Sequence, residues 1–453
     1  MKALGFGVAA AWCAVSLSAQ QPSTDVSYFR EIRPVIQRSC QGCHQPAMKY
    51  GALDLTRYES FAAGGNKGPA FKPGVPQESV VLAYLKGERQ PRMPFGSPPL
   101  PDDQIELFRR WIAAGAKDDT PAEARESAAL DKPPVYRLAP VITSLAYSAD
   151  GSLLAVSGYR EVLLHKADGS GLVARLVGLS DRIQSLKFSR DGKTLVAAGG
   201  TPARFGEVEL WDVASRKLAH SVTLTNDTVF GASLSPDGSR VAVGCADNTV
   251  RLVDTAAGKE VLKISNHENW VLGTAFGVDG KRLVSVGRDQ AAKLTDASTG
   301  AFIENINALR GELAAIARHP TRDVVLIGGA ERIPYLYTMD RAASMKIADD
   351  STLIRKFEMQ DGPIFALAFS PDGGQIAVAG ASEEVPIYQT ETGERTATCK
   401  GPRGTYAVAF SSNGEQLATG GFDGKVRIYE VKSGKLVREF VPVPLETQMA
   451  AAR

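Results

Sequence analysis

The chain has 453 residues, 44% of them hydrophobic and 23% charged, with 44 Gly and 25 Pro. That length exceeds one ordinary core and calls for at least two domains. The near-balanced formal net charge of +2, with no basic run, argues against nucleic acid as a partner, and nothing beyond the N-terminus approaches the roughly 18 apolar residues of a membrane span.

Residues 1–19 read as a secretory signal: Lys2, an apolar run from Leu4 to Leu17, then Ser18-Ala19-Gln20, with cleavage after Ala19. Cys13 follows the bulky Trp12, which speaks against a lipoprotein cleavage site. The alternative is an uncleaved anchor, the one route by which this chain would touch a membrane. Of five cysteines, Cys13 leaves with the signal. Cys245 and Cys399 stand in separate repeats of the second half and are expected as small buried hydrophobes rather than a disulfide.

A first domain spans residues 22–125 and is expected to be all-α. Phe29, Ile32 and Ile36 form an i, i+3, i+7 stripe. Pro34 suits the first turn of a helix, where its missing N–H costs nothing. That helix leads into Cys40-Gln41-Gly42-Cys43-His44, the Cys-x-x-Cys-His attachment signature of c-type haem. Its two thiols can add across the haem vinyl groups, and the adjacent His then donates to the iron from beneath the ring. Half of a zinc site would need a second ligand pair at matching spacing, and none follows. A thioredoxin-like pair would need a βαβ setting and leaves the His unexplained. Export supports the haem reading, since bacterial c-type haem is joined to its protein outside the cytoplasmic membrane.

The sixth iron ligand has to come from the other face of the ring. Met93, in the Pro- and Gly-rich stretch Arg92-Met93-Pro94-Phe95-Gly96, is the candidate. Met48 is the rival, but it follows His44 by only four residues and would reach the same face. A last helix is expected over Asp102 to Ala114, with Asp102 as N-cap, Leu100 packing back on its first turn and Gly115 ending it. Its buried face is Ile105, Phe108, Trp111 and Ile112; whether plain core or haem wall, such a face must exclude water.

From Val26 to Lys117 the segment resembles the small cytochrome c domain first catalogued in planctomycetes. The resemblance rests on Ile32-x-Pro34, the Cys40 to His44 motif, Gly64-Gly65, Pro73-Gly74-x-Pro76-x-x-Ser79, Met93-Pro94 and Trp111-Ile112-x-x-Gly115-Ala116. Phe95-Gly96 departs from the family, where a second proline is common. The resemblance implies a monohaem electron carrier, with one covalent haem c held by Cys40, Cys43, His44 and Met93, and a redox partner protein it does not name.

A polar stretch from Ala122 contains the linker, residues 126–134. A repeat then begins: an alternating apolar strand, a Ser-x-Asp-Gly turn and a second apolar strand. It appears at Ser148 to Gly151, Ser189 to Gly192, Ser235 to Gly238, Asp279-Gly280, Ser370 to Gly373 and Ser411 to Gly414. Asp-Gly and Asn-Gly mark hairpins, because both central residues tolerate positive φ. A seventh copy has His319-Pro320-Thr321-Arg322 in place of the turn. Asp150 to Asp191 is 41 residues, Asp191 to Asp237 is 46 and Asp237 to Asp279 is 42, a period that fits four strands per copy. Asp247, Asp289 and Asp423 occupy the tight turn ahead of the third strand. Residues 135 to about 445 thus resemble WD-repeat proteins, which implies an all-β seven-bladed propeller over residues 135–453. The resemblance is degenerate, since only Trp211-Asp212 keeps the naming dipeptide and the usual Gly-His pair is absent.

His165, His220, His267 and His319 fall in different copies without shared spacing and read as solvated or turn histidines. The inserted loops Thr201 to Phe205 and Met339 to Ser351, the second made basic by Arg332, Arg341 and Lys346, are the better candidates for partner contacts. The leading functional reading is an exported, periplasmic monohaem c-type cytochrome that transfers single electrons and docks a partner protein through its propeller, without catalytic residues of its own. One alternative is an oxidoreductase whose propeller holds a second cofactor or substrate with haem c as relay. Another is a haem-based redox or gas sensor.

Overall fold

The structure is a computed structural model that describes residues 26–45, 48–121, 132–308, 310–340 and 350–446. The signal segment, the linker residues before 132, Arg341 and Lys346, and the side chain of Met48 lie outside what it describes. Among the described residues no helix is long and apolar enough to cross a membrane.

In the N-terminal domain a π-type turn, Tyr28–Ile32, runs straight into α1, Arg33–Ser39. Pro34 sits in the first turn of α1 as expected. The buried stripe, however, is Tyr28, Ile32, Val35 and Ile36, while Phe29 is only half-buried beneath the Arg33 guanidinium. The wide turn before α1 shifts the register by one residue, so Tyr28 takes the inward position. Two short helices follow, α2, Tyr58–Ala63, and α3, Val80–Lys86, then α4, Asp102–Ala113. Asp102 is the first residue inside α4 rather than its cap, and Pro101 occupies the cap position. There Asp102 and Asp103 complement the positive end of the helix dipole. Ile105, Phe108, Trp111, Ile112 and Leu100 are all buried in one cluster. Trp111 stacks with Tyr28 at 5.5 Å between centroids, meets Phe71 edge-on at 4.8 Å, and donates its indole N–H to the Lys117 carbonyl. Ser79 explains its place in the loop motif: it is buried, accepts from Lys72 N at 2.9 Å and donates to Val75 O at 3.0 Å, which ties the loop before α3.

Seven four-stranded antiparallel sheets make up the second domain, each built from four consecutive strands. They begin at Leu145, Arg182, Val229, Val271, Leu313, Ile364 and Thr405, and are called blades 1 to 7 in that order. The first strands form a closed inner ring, with blade 7 against blade 1. The core is correspondingly divided into seven apolar clusters, one in each gap between neighbouring blades. One blade alone could not bury both faces, so stability comes from the ring. Cys245 lies in the gap between blades 2 and 3 and Cys399 in that between blades 6 and 7. Both are free thiols that burial pushes up to about 12.

The hairpins differ from expectation in an informative way. In each Ser-x-Asp-Gly copy only the Gly has positive φ, between 71° and 77°, and the Asp does not. The Gly151 N–H donates to the Ser148 carbonyl at 3.0 Å, closing a type I turn before the left-handed Gly. Ser148 Oγ donates to Asp150 at 2.6 Å and accepts from Leu153 N at 2.9 Å, and the same pair of bonds recurs at Ser189, Ser235, Ser370 and Ser411. The Ser is therefore part of the turn rather than incidental to it. In blade 5 the His319 ring takes over, its Nδ1 accepting from Thr321 N and Arg322 N at 3.2 and 3.1 Å.

Ring closure uses no exchanged strand. Tyr136 pairs with Leu445 in a parallel bridge, Glu446 N donates to Tyr136 O at 2.9 Å, and Ile142 N donates to Gly421 O at 3.0 Å. Beneath them the fully buried Glu161 accepts from Arg175 through both oxygens at 2.7 Å and from the Tyr136 hydroxyl at 2.7 Å. Such a bidentate pair adds direction as well as energy.

His267 is not a solvated histidine. It is buried, with Nδ1 at 2.9 Å from Asp289 and Nε2 at 2.7 Å from Ser285 Oγ. Ser285 is 1% exposed, so this Ser-His-Asp row is sealed from any substrate and serves to fix the turn ahead of the third strand of blade 4. Burial opposes ionisation of Asp289, but the His267 hydrogen bond and charge outweigh it and hold the carboxyl below its usual range. A depressed folded-state value stabilises the fold above the unfolded carboxyl pKa of about 3.9 and is lost as pH falls below it. Asp289→Asn is expected to cost roughly 1–3 kcal/mol at neutral pH. Urea unfolding should show it as a lower propeller midpoint, with the gap to wild type closing in acid.

Candidate haem-attachment site

Where α1 ends, Cys40 N still donates to Ile36 O at 2.9 Å, and the chain tightens into one more turn. Cys43 N and His44 N both donate to Cys40 O, at 3.2 and 3.1 Å. This turn brings the two thiols and the imidazole together, which is the spacing requirement of the motif. Cys40 is half-buried against the apolar cluster and Cys43 is exposed. Burial pushes the Cys40 thiol up to about 12 and raises that of Cys43. A dithiol redox pair would show the opposite, a thiolate stabilised near neutral pH. Among the described residues no three His, Cys, Asp or Glu side chains converge as a metal site.

The His44 ring is oriented by the backbone that follows it. Its Nδ1 lies 2.9 Å from the Tyr50 carbonyl, an acceptor, so that nitrogen carries the proton and Nε2 keeps its lone pair. Burial lowers its pKa and keeps the imidazole neutral. Buried Gln41 reaches from the same turn to Leu55 O at 2.8 Å and pins the loop that follows.

Met93 packs against the same apolar cluster as Cys40. Its N–H donates to Tyr84 O at 3.1 Å, and Arg92 Nε donates to Leu85 O at 3.3 Å, so α3 anchors the Met loop. Cys40 and Met93 thus share one apolar cluster, and Cys43 and His44 belong to the turn that closes on Cys40. A thioether and a neutral imidazole beside an aromatic cluster suit a flat apolar macrocycle.

No local pattern hinted at the wall on the other side of the motif. The Cys40 to His44 turn lies against the outer strand of blade 2, Lys217–Thr225. A Cβ on Gly42 would stand 2.4 Å from the Ser221 carbonyl oxygen, so only glycine allows this approach. Thr223 Oγ1 donates to Gln37 O at 3.4 Å. The tip of the Thr201 to Phe205 insertion simply lengthens the central hairpin of blade 2, and its Arg204 bears on Arg33 of α1. That tip therefore sits beside the chain's own N-terminal domain. Most of the Met339 to Ser351 loop lies outside the described residues.

Residues 40–95 match the family described as Planctomycete cytochrome C. The cytochrome match covers the attachment motif and the Met loop together. Residues 216–254, 258–296 and 393–430 match the WD domain, G-beta repeat. Each of these matched units starts in the outer strand of one blade and ends in the third strand of the next, so the repeat runs one strand out of phase with the blade. A segment similar to the planctomycete cytochrome c family thus precedes a seven-bladed propeller, three stretches of which are similar to WD repeats. An uncharacterized WD repeat-containing protein of Synechocystis sp. is 30% identical over 100 residues, 22% of this chain and 28% of that protein. Apoptotic protease-activating factor 1 of Mus musculus is 26% identical over 163 residues, 34% of this chain and 13% of that protein. The chain spans less than a third of the length of either relative.

Proposed function

We propose that this chain is an exported electron carrier with one covalent haem c, and that its propeller is the platform that docks a redox partner protein. Cys40 and Cys43 would supply the two thioethers, and His44 Nε2 and Met93 Sδ would hold the iron. Haem iron held this way supplies one-electron transfer between its ferrous and ferric states. The chain's own residues orient the His44 ring through Tyr50, anchor the Met loop on α3 and exclude water through Trp111, Phe108 and Ile36. The observation that carries the reading is the turn at Cys40 to His44, with Nδ1 committed to a carbonyl and Met93 against the same cluster. Residues 1–19 would direct the chain to the periplasm, where attachment takes place.

The test is the full chain purified from its native compartment, denatured and extracted with acidic organic solvent. Haem should stay with the protein at one per chain, and a redox titration should show a single one-electron step. Haem released into the solvent, or none present, would end the covalent reading. A second chromophore at equal stoichiometry would promote the two-cofactor oxidoreductase.

A further inference from the structure

Glu207 and Glu209 lie in the third strand of blade 2, Phe205–Asp212, and are 1% and 2% exposed. Two residues apart, they share the strand face of Trp211, which is turned into the gap between blades 1 and 2. Ser180 Oγ and Ser221 Oγ donate to the two oxygens of Glu207 at 2.7 and 2.6 Å. Leu179 N and Trp211 Nε1 donate to those of Glu209 at 3.2 and 3.1 Å. All four donors are neutral, and among the described residues neither carboxyl has an ion-pair partner.

The charged groups on the surrounding elements do not change this. Among the described residues Asp181 on the connection from blade 1, Arg182 at the start of the first strand of blade 2, and Lys217 and His220 on the outer strand make no hydrogen bond or ion pair to either carboxyl. Arg160 of blade 1 is buried, and its Nε and Nη2 have no hydrogen-bond partner at all. Arg38 at the end of α1 is exposed. Two carboxylates in one dry gap without an ion-pair partner oppose each other's ionisation, so the pair favours binding a proton. Desolvation raises both groups, and the Glu207 charge raises Glu209 further.

Position gives this proton a use. Ser221 hydrogen-bonds Glu207 through its side chain and abuts Gly42 through its carbonyl, so one residue separates the carboxyl pair from the haem-attachment turn. We propose that the Glu207–Glu209 pair is a proton-accepting site coupled to electron transfer at that turn. With haem held at that turn, one electron from the donor protein would convert ferric to ferrous iron, and one carboxylate of the pair would take one proton from water and become a carboxylic acid. Oxidation by the acceptor protein returns both. An added electron makes the site one unit more negative, and in a water-excluded gap that charge favours proton uptake nearby. This rests on the reading of a bound haem c.

The experiment uses the full-length holoprotein, with covalent haem established first, so that loss of that reading is seen separately. The reduction potential is then followed from about pH 5 to pH 9, spanning the range above the ordinary Glu value of about 4.3. It should fall with rising pH over one interval, approaching one proton per electron, and be flat on either side. Glu207→Gln and Glu209→Gln should each flatten that interval while haem content and the axial-ligand spectrum stay as in wild type. A slope that survives both substitutions would come from the haem propionates and would overturn the proposal. Redox-difference infrared spectra of wild type give a second readout that needs no variant to fold. A protonated-carboxyl band that changes between the ferric and ferrous forms is expected, and its absence would equally overturn the assignment.

Discussion

Cys40→Ala/Cys43→Ala should yield chain in which covalently retained haem falls essentially to zero. The two thiols project from a single turn closed on the Cys40 carbonyl, and Cys245 and Cys399 are sealed in distant inter-blade cores. No other cysteine of the described chain can substitute. His44 and the apolar cluster remain in the double variant, so haem that still associates would be held by ligation and burial alone and would leave in acidic organic solvent. Each single substitution keeps one thiol and should retain haem through one thioether, with an absorption band shifted by the remaining unsaturated vinyl. Covalent haem in the double variant would show that the attachment point lies elsewhere.

The second large effect is expected at Met93. Its backbone N–H is tied to Tyr84 and its side chain lies against the cluster that Cys40 also touches. Loss of the thioether would open one axial position without removing the wall around it. The ferric protein should lose the weak red charge-transfer band of Met–iron ligation in Met93→Ala. The ferrous form should change from inert to carbon monoxide into one that binds it stoichiometrically. The reduction potential should fall, because a thioether ligand raises it relative to nitrogen or water. Met48→Ala is the control and should leave all three properties in place. If the band survives in Met93→Ala and disappears in Met48→Ala, the ligand assignment is reversed. Carbon monoxide binding by the wild type would favour a gas sensor.

Much of this molecule was readable locally. The attachment motif, the face of α4 and the positions of the hairpins follow from residues within a few positions of one another. The physical reasons act at that range: a turn's geometry, a helix period, a glycine that tolerates positive φ. Even where the turn type differed from expectation, the Ser-x-Asp-Gly pattern marked the right residues, because Ser and Asp bond within the turn itself. The shift from Phe29 to Tyr28 in the first buried stripe is the limit of such reasoning, since a wide turn ahead of α1 alters the register without a strong sequence signal.

Other features depended on elements far apart in the chain. The alternation Glu207-Val208-Glu209-Leu210 looks like a strand with one face in water, yet both glutamates are buried, because a blade is covered on both faces by its neighbours. His267 lacked any spacing signal, since its partners Ser285 and Asp289 reach it only across folded strands. The closure of the ring by Tyr136 and Leu445 joins the two ends of the second domain, and no local pattern encodes such a pairing. The same holds for the approach of Gly42 to Ser221. The sequence by itself determined that a Cys-x-x-Cys-His turn and seven strand repeats exist, because turn and strand preferences are local. Only the tertiary structure decided that the turn rests on blade 2 above two unpaired carboxyls, because burial and charge pairing are set by whatever surface the ring brings alongside.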